Sequence, residues 1–348
     1  MPAVRVVKWG VGGEGSMFSP QLAKRIEERL ARDEQVILLL NRRAFSTCIR
    51  CPDCGATARC PNCDITLRYH RVGLKLECHY CGHVEKAFDL CPECRGHRLS
   101  YSGVGTQRVE KELERLFPEA KLSRMDLDTT RSQGAHQDIL TRFARREFNI
   151  LLGTKMVAKG HDFPGVTLVG VLGADFEWLR PDFRAIEKAF RLLVQASGRT
   201  GRTGPGEVLI QSWEPTHPML RWVQQHDYKQ LYLSEIKSRA GLSYPPFGRL
   251  IALWVIGPRL ETVVEAAAVM RELLSEVLET ATVLGPAPPP VERVENLYRR
   301  KLLVKLPARF DTKVRADKSA VGQVVDRLRG RFQRSRLRFV VDVDPVEA

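Results

Sequence analysis

The sequence predicts an α/β protein with a doubly wound parallel sheet, an inserted metal-binding module and a C-terminal α+β domain. Three observations predict this organisation. Continuous apolar runs such as Gln35–Leu40 alternate with amphipathic segments, as in parallel sheets that helices cover on both faces. Eight of the nine cysteines lie within residues 51–94. After Pro245-Pro246, strand and helix patterns resume with many basic residues.

The first helix is predicted to begin at Ser19, a capping residue, with Pro20 in its first turn. Residues 1–18 are expected to form a linker that contains the Gly-rich stretch Gly10–Gly15. This stretch is not a phosphate-binding loop, because no Gly-Lys-Ser/Thr closes it and no strong strand precedes it. Helices and strands are then expected to alternate along the chain. Their expected positions are Gln35–Leu40, Gln107–Leu116, Leu122–Asp126, Ile139–Arg145, Ile150–Gly153, Thr167–Gly173, Phe183–Ser197 and Glu207–Gln211.

Four Cys-x-x-Cys pairs predict two zinc ions, because one tetrahedral site takes four thiolates from two pairs. Pro follows the first cysteine of three pairs, and Gly follows the last cysteine of two, which is typical turn chemistry for zinc knuckles. A disulfide framework is disfavoured, since residues 1–30 contain no apolar signal segment. Cys48 is expected to be an ordinary buried thiol. The pairs are Cys51/Cys54, Cys60/Cys63, Cys78/Cys81 and Cys91/Cys94.

The spacing favours a nested arrangement of the pairs. Joining the first pair to the second would leave only five residues between them, which is tight. In the nested arrangement Cys60, Cys63, Cys78 and Cys81 hold an inner ion, and Cys51, Cys54, Cys91 and Cys94 hold an outer one. Thr66–Tyr69 and Leu74–Glu77 can then form a hairpin that turns at Val72-Gly73. The histidines nearby, His70, His79 and His83, are treated as bystanders.

The charge of the chain indicates a polyanionic partner. Its 348 residues carry a formal net charge of +14, and the pI is near 9.6. Nucleic acid is favoured over a membrane surface, because the basic residues do not form one amphipathic helix and no apolar run approaches a membrane span. The length suggests two or three globular units.

Two segments of the α/β part contain candidate functional residues. The first is Gly153–Asp162 (GTKMVAKGHD), directly after an apolar run, and the second is Gln195–Arg202 (QASGRTGR), at a helix end. Arg199 and Arg202 could stabilise charge on a transferring phosphoryl group, because guanidinium groups bind phosphate oxygens bidentately. The alternative is a pair of solvated arginines in a Gly-rich loop. Asp175 is expected either to face a ligand at the sheet edge or to cap a helix.

These motifs, in this order, resemble the PriA family of bacterial primosomal replication-restart helicases. The matching stretches cover the chain from about residue 19 to its end. They are Gln35–Ala44, the eight-cysteine module, Gly103–Thr106, Gly153–Pro164, Gln195–Arg202 and Val341–Glu347.

The resemblance implies a RecA-like second helicase lobe of a 3′-to-5′ DNA helicase. Gly153, Thr154, Lys159 and Gly160 resemble helicase motif V, and Gln195, Arg199 and Arg202 resemble motif VI, whose arginines reach the γ-phosphate. The implied domains are 1–18 as inter-lobe linker, 19–47 with 98–225 as the lobe, 48–97 as the double zinc module and 226–348 as a DNA-binding domain. The implied partners are forked or single-stranded DNA, primosome proteins and single-strand-binding protein, and the implied location is the bacterial cytoplasm.

The sequence departs from the family pattern by lacking a Gly-x-x-x-x-Gly-Lys-Ser/Thr loop and an Asp-Glu-x-His box. In the family these motifs lie in a first lobe, which binds ATP and Mg²⁺. Two functional classes therefore remain open. The chain is either half of an ATP-driven helicase for replication restart at stalled forks, or a non-hydrolysing DNA-binding scaffold for primosome assembly. In both cases we expect the chain alone to lack ATPase activity.

Overall fold

In the computed structural model the described residues are 2–9, 16–40, 48–49, 51, 54, 56–63, 65–70, 73–97, 106–126, 129–130, 134–155, 157, 163–200, 206–309 and 311–346. The elements in chain order are β1 (Ala3–Lys8), α1 (Pro20–Leu30), β2 (Gln35–Leu40), β3 (Arg68–His70), β4 (Lys75–Glu77), β5 (Val84–Lys86), α2 (Thr106–Leu116), β6 (Leu122–Met125), α3 (Ala135–Ala144), β7 (Ile150–Gly153), β8 (Val166–Leu172), α4 (Asp175–Trp178), α5 (Ala185–Ser197), β9 (Glu207–Ser212), α6 (Pro218–Gln225), α7 (Tyr228–Gly241), β10 (Gly248–Gly257), α8 (Leu260–Val277), β11 (Thr282–Ala287), β12 (Arg293–Val294), β13 (Leu297–Pro307), α9 (Thr312–Arg331) and β14 (Arg338–Val343).

A parallel sheet forms the centre of the α/β part, in the order β1-β9-β8-β2-β7-β6. Its central strand β2 is buried at every position, as its unbroken apolar sequence predicts. Val36 and Leu38 pack with α1 and α2 on one face. Ile37 and Leu39 pack with α3 and α5 on the other. The doubly wound α/β prediction is therefore confirmed.

The expected linker contains an additional strand. Ala3–Lys8 forms β1, which pairs in parallel with β9 from Ala3↔Glu207 to Lys8↔Ser212. The prediction that residues 1–18 are linker throughout is wrong for these six residues. β1 is an edge strand with a single neighbour, and its exposed positions include Arg5 and Lys8. Its sequence therefore lacks the apolar run that marks a central strand.

The cysteine-rich segment contains the predicted hairpin. β3 and β4 pair antiparallel from Arg68↔Glu77 to His70↔Lys75, and β5 adds a third strand. Gly73 has a left-handed φ of 81°, a conformation that glycine adopts without a steric penalty. The hairpin prediction is confirmed, with β3 beginning two residues later than expected, while Val72 lies outside the described residues.

The C-terminal part is an antiparallel sheet in the order β11-β13-β10-β14, with β12 paired to β13. Both long helices, α8 and α9, cover the same face of this sheet. The side chains on that face include Leu253, Leu302 and Phe339, and all three are buried. The predicted α+β arrangement is confirmed.

The chain divides into two compact units, and the cysteines are shared between them. One unit contains residues 1–56, 90–180 and 184–232, and the other contains residues 57–89, 181–183 and 233–348. The outer cysteine set thus belongs to the α/β unit, and the inner set belongs to the C-terminal unit. None of the described helices is both long and apolar enough to cross a membrane.

Candidate metal centres and sheet-edge motifs

Each of the four cysteine pairs has the same local backbone geometry. The N–H of the first cysteine in a pair donates to the carbonyl five residues later, over 2.8–3.0 Å. The residue after the last cysteine is left-handed at Gly82 (φ 76°) and at Arg95 (φ 59°). This turn brings both thiols of a pair to one side. The donor and acceptor pairs are Cys51/Ala56, Cys60/Ile65, Cys78/His83 and Cys91/Gly96.

The thiols gather into two groups of four, and the ligand atoms of each group lie within 4.8 Å of one another. Sulfur–sulfur distances are 3.6 Å for Cys51–Cys94 and 3.5 Å for Cys54–Cys91 in one group. The Cys60–Cys81 distance is 3.6 Å in the other. A tetrahedral zinc ion with Zn–S bonds of about 2.3 Å places its sulfurs about 3.8 Å apart. The groups are Cys51, Cys54, Cys91, Cys94 and Cys60, Cys63, Cys78, Cys81, so the nested prediction is confirmed.

Four thiolates so close together require a cation. Hydrogen bonds to Cys60 and Cys78, and then burial, raise the pKa of the Cys63 thiol. Zinc bound there would replace these protons and hold four thiolates in a closed site, which is the structural type. Cys60, Cys63 and Cys78 are buried, whereas Cys54 and Cys94 of the outer group are exposed. The two centres therefore differ in how much water screens their charge.

The neighbouring histidines are not ligands in either group. His79 is buried, and its Nδ1 donates to the carbonyl of Pro288. Burial lowers the pKa of His79 to about 3, so the ring is neutral at physiological pH. Both four-cysteine groups are complete without a histidine. Cys48, expected to be an ordinary buried thiol, is half-buried and packs against the core of the α/β part.

The inner cysteine group packs against the C-terminal sheet, on the face that α8 and α9 leave free. Tyr80, which lies between two inner ligands, meets Tyr244 edge to face with 6.4 Å between ring centroids. Phe183 stacks on Tyr244 at 4.4 Å. Lys301 and Lys305 of β13 lie over the rings of Tyr80 and Tyr244, at 4.7 and 3.8 Å. Burial lowers the pKa of Lys301 to about 8.

Gly153 and Thr154 lie at the carboxyl edge of the parallel sheet, where β7 ends. A Cβ atom at Gly153 would lie 2.9 Å from the carbonyl oxygen of Met125 and would overlap the side chain of Val157. This crowding explains the glycine without reference to a ligand. Lys159 and Gly160 lie outside the described residues.

Arg199 lies beside the opposite edge of the sheet. The neighbouring Thr200 donates its hydroxyl to the carbonyl of Val166, at the start of β8. Gly153 is instead level with Val171, because both residues pair with Leu39 of β2. Val171 follows Val166 by five residues, which is about 16 Å further along β8 at 3.3 Å per residue. Arg199 is half-buried and Gln195 is exposed. The structure does not bring Gly153 next to Arg199, and Arg202 lies outside the described residues.

Asp175 neither caps a helix nor faces open solvent. Its carboxylate accepts hydrogen bonds from the Ser212 hydroxyl at 2.7 Å and from the backbone N–H groups of Trp213 and Glu214 at 3.0–3.2 Å. Burial raises the pKa of Asp175. The residue therefore joins the segment after β8 to the end of β9, a role that neither sequence-based interpretation gave.

Sequence reasoning missed Glu177. Its carboxylate is 1% exposed and binds Lys155, directly after Thr154, and Arg180 at 3.4 Å. The carboxylate thus orients a lysine of the Gly153–Asp162 segment. The acidic residue follows Lys155 by 22 positions, and no local pattern links the two.

Comparison with known protein families covers most of the chain. Residues 240–346 match the family model for the primosomal protein N C-terminal domain. Residues 94–204 match the helicase conserved C-terminal domain. Residues 60–86 match the PriA DNA helicase Cys-rich region domain.

Curated relatives give the same result. The replication restart protein PriA of Bacillus subtilis is 40% identical over 96% of this chain and 41% of its own length. Its counterparts from Synechocystis sp. and Chlamydia muridarum are 42% and 37% identical, over 85% and 95% of this chain. The chain spans about two fifths of the length of these relatives. The chain belongs to the PriA family and corresponds to its C-terminal portion.

Proposed function

We propose that this chain is the second half of an ATP-dependent DNA helicase that acts in replication restart. The observation that carries the proposal is the combination of a helicase C-terminal match with two nested four-cysteine centres in one chain. A general zinc-ribbon protein does not need a doubly wound lobe. The relatives' name, replication restart protein, gives the process.

The residues proposed to act on ATP are Gln195, Arg199 and Arg202, with Gly153, Thr154, Lys159 and Gly160 in the coupling segment. ATP and Mg²⁺ bind only when a first lobe is supplied, because this sequence has no phosphate loop and no Asp-Glu-x-His box. Arg199 and Arg202 then reach the γ-phosphate and stabilise the charge that develops in the transition state. The zinc ions take no part in that chemistry.

The DNA-contact surface is proposed to include the end of α9 and the start of β14. The sequence from Arg327 to Val341 contains six arginines and no acidic residue. All six arginines are exposed. Only Arg329 pairs with a carboxylate among the described residues, that of Asp326 at 2.9 Å. Such a surface suits phosphates, which arginine binds without sequence preference. The arginine cluster is Arg327, Arg329, Arg331, Arg334, Arg336 and Arg338.

Fluorescence anisotropy with single-stranded and forked DNA tests this surface. The triple substitution Arg327→Gln, Arg334→Gln and Arg338→Gln should weaken binding and reduce the salt slope by about 2, since each single-strand phosphate contact contributes about 0.7. The matched control changes three exposed arginines elsewhere, Arg145→Gln, Arg191→Gln and Arg221→Gln. Equal losses in both variants would show that net charge alone matters and would refute the location.

The second candidate is a non-hydrolysing scaffold that binds DNA and primosome proteins, including single-strand-binding protein, in the bacterial cytoplasm. The absence of a phosphate loop from the sequence favours it. The candidates are separated by adding a first-lobe polypeptide from a relative to the purified chain. DNA-stimulated ATP hydrolysis that is lost in Arg199→Ala supports the helicase. No hydrolysis, with DNA binding intact, supports the scaffold.

A further inference from the structure

Two lysines are buried on the face of the C-terminal sheet opposite α8 and α9. Lys301 is 3% exposed and Lys305 is 9% exposed. A buried ammonium group costs several kcal/mol unless an anion compensates it. Neither ammonium forms an ion pair with a carboxylate among the described parts of the chain. The compensating charge must therefore lie beyond direct contact.

Both lysines lie over the aromatic rings of residues that contact the inner cysteines. Lys305 donates to the carbonyl of Leu242 at 3.0 Å and lies over Tyr244, whose hydroxyl bonds the carbonyl of Cys63. Lys301 lies over Tyr80, whose N–H donates to the sulfur of Cys78 at 3.4 Å. Each ammonium group thus contacts the ring of a residue that is hydrogen-bonded to an inner cysteine.

The inner centre supplies the missing negative charge. Four thiolates and one Zn²⁺ sum to about −2. Burial lowers the pKa of Lys301, and the neighbouring negative charges of Asp182 and of the inner cysteines oppose that shift. Burial likewise lowers the pKa of Lys305, and the inner cysteines oppose that shift. The two lysines match the charge of the filled centre in sign and in number.

The outer centre does not need such partners. Cys54 and Cys94 are exposed, so water screens its charge, whereas three of the four inner cysteines are buried. We propose that Lys301 and Lys305 are the counter-charges of the inner zinc–thiolate centre and are positioning residues for zinc retention there. The C-terminal domain thereby contributes to metal binding by a module that lies far earlier in the chain, since Cys81 precedes Lys301 by 220 positions.

Zinc release from the purified chain to a chromogenic chelator tests this proposal. Lys301→Met and Lys305→Met keep most of the length of the unbranched side chain and remove the charge. Each should weaken zinc binding at the inner centre by about tenfold or more, as is usual when a group behind the metal ligands is lost. The outer centre should release zinc at the wild-type rate. A Cys91→Ser/Cys94→Ser variant identifies which release phase belongs to which centre.

Two controls separate the effect of the local lysine charge from that of side-chain packing and from that of the net charge of the chain. Lys86→Met removes an exposed lysine of the same unit and should leave zinc release unchanged. Lys301→Arg and Lys305→Arg keep the charge and should retain most of the affinity. Inner-site affinity within twofold of wild type in both Met variants would overturn the proposal. Equal losses of inner-site zinc affinity in the Met and Arg variants would also overturn it, because the Arg variants keep the charge. If a Met variant does not fold, the Gln variant at that position gives the same comparison.

Discussion

The hydroxyl of Tyr244 donates a hydrogen bond to the carbonyl of Cys63 over 3.4 Å, although the two residues are 181 positions apart. Cys63 belongs to the inner metal centre, and Tyr244 directly precedes Pro245-Pro246 at the start of the C-terminal sheet. The bond therefore joins a zinc knuckle to the domain that follows the helicase lobe. Within this unit the metal centre is part of the folded core.

Two substitutions of Tyr244 should separate the contribution of its hydrogen bond to stability from the contribution of its ring packing. Tyr244→Phe loses the bond and is expected to reduce the free energy of unfolding by about 1 kcal/mol. Tyr244→Ala also loses the stack on Phe183 and should cost about 3–5 kcal/mol. Urea unfolding measures both losses of free energy. Tyr228→Phe, at a side chain that is 63% exposed, is the control and should leave the stability unchanged. Equal losses of unfolding free energy in Tyr244→Phe and Tyr244→Ala would contradict a stabilising role for the packing of the Tyr244 ring.

Loss of either metal centre should destabilise its own unit. Cys78→Ser/Cys81→Ser should increase amide exchange in residues 57–89 and in β10 and β13, because the inner centre packs there. Cys91→Ser/Cys94→Ser should instead affect the segments around residues 51–56 and 90–97. Hydrogen–deuterium exchange by mass spectrometry resolves these segments. Uniform loosening of the whole chain by both variants would argue against two separate centres.

Asp317 should make the stability of the C-terminal unit depend on pH. Burial pushes the pKa of Asp317 up, but hydrogen bonds from Thr280 and the N–H of Glu279 outweigh this and hold the pKa below its ordinary value of 3.8. The carboxylate thus stabilises the fold above about pH 4, and this contribution is lost as the pH falls through the folded pKa.

Asp317→Asn should therefore lower the free energy of unfolding by about 2 kcal/mol at pH 7, with a smaller loss near pH 3. Asp326→Asn, an exposed position on the same helix, is the matched control. Denaturation at both pH values measures the difference. A loss that stays constant from pH 7 to pH 3 would show that the charge of Asp317 is not involved.

Asp175→Asn should destabilise the α/β unit by about 1–3 kcal/mol, because an amide NH₂ would face N–H donors. Since burial raises the pKa of Asp175, the folded state binds this proton more tightly than the unfolded state. Its contribution to stability therefore decreases as the pH rises above about 4. Thermal unfolding of the two proteins at pH 4 and pH 7 tests this sign. Wild-type stability of the variant would refute the anchoring role.

Local patterns were sufficient for much of the fold. The apolar run Gln35–Leu40 gave the central strand with its full bounds, and the cysteine spacing gave the nested centres. Helix α9 begins at Thr312, with the carboxylate of Asp311 as its cap. The edge strand β1 was missed, since its pairing partner is more than 200 positions away.

The long-range contacts could not be predicted from local patterns. Lys301 and Lys305 are in a basic, apolar-rich stretch that suggests an exposed nucleic-acid surface, yet both are buried against the zinc module. Asp175 was placed correctly at the carboxyl edge of the sheet. Its partners, Ser212 and Trp213, come from the next strand and carry no signal of their own. Burial of a charged group depends on tertiary packing, which cannot be predicted from the pattern of apolar and polar residues in the sequence.

The most direct test of the central claim is the zinc content of two quadruple variants by elemental analysis. Nested pairing predicts that replacing Cys51, Cys54, Cys91 and Cys94 by serine leaves one zinc per chain, held by the inner centre. Replacing Cys60, Cys63, Cys78 and Cys81 should also leave one, held by the outer centre. Loss of both ions from each variant, as pairing in sequence order would give, would contradict the account.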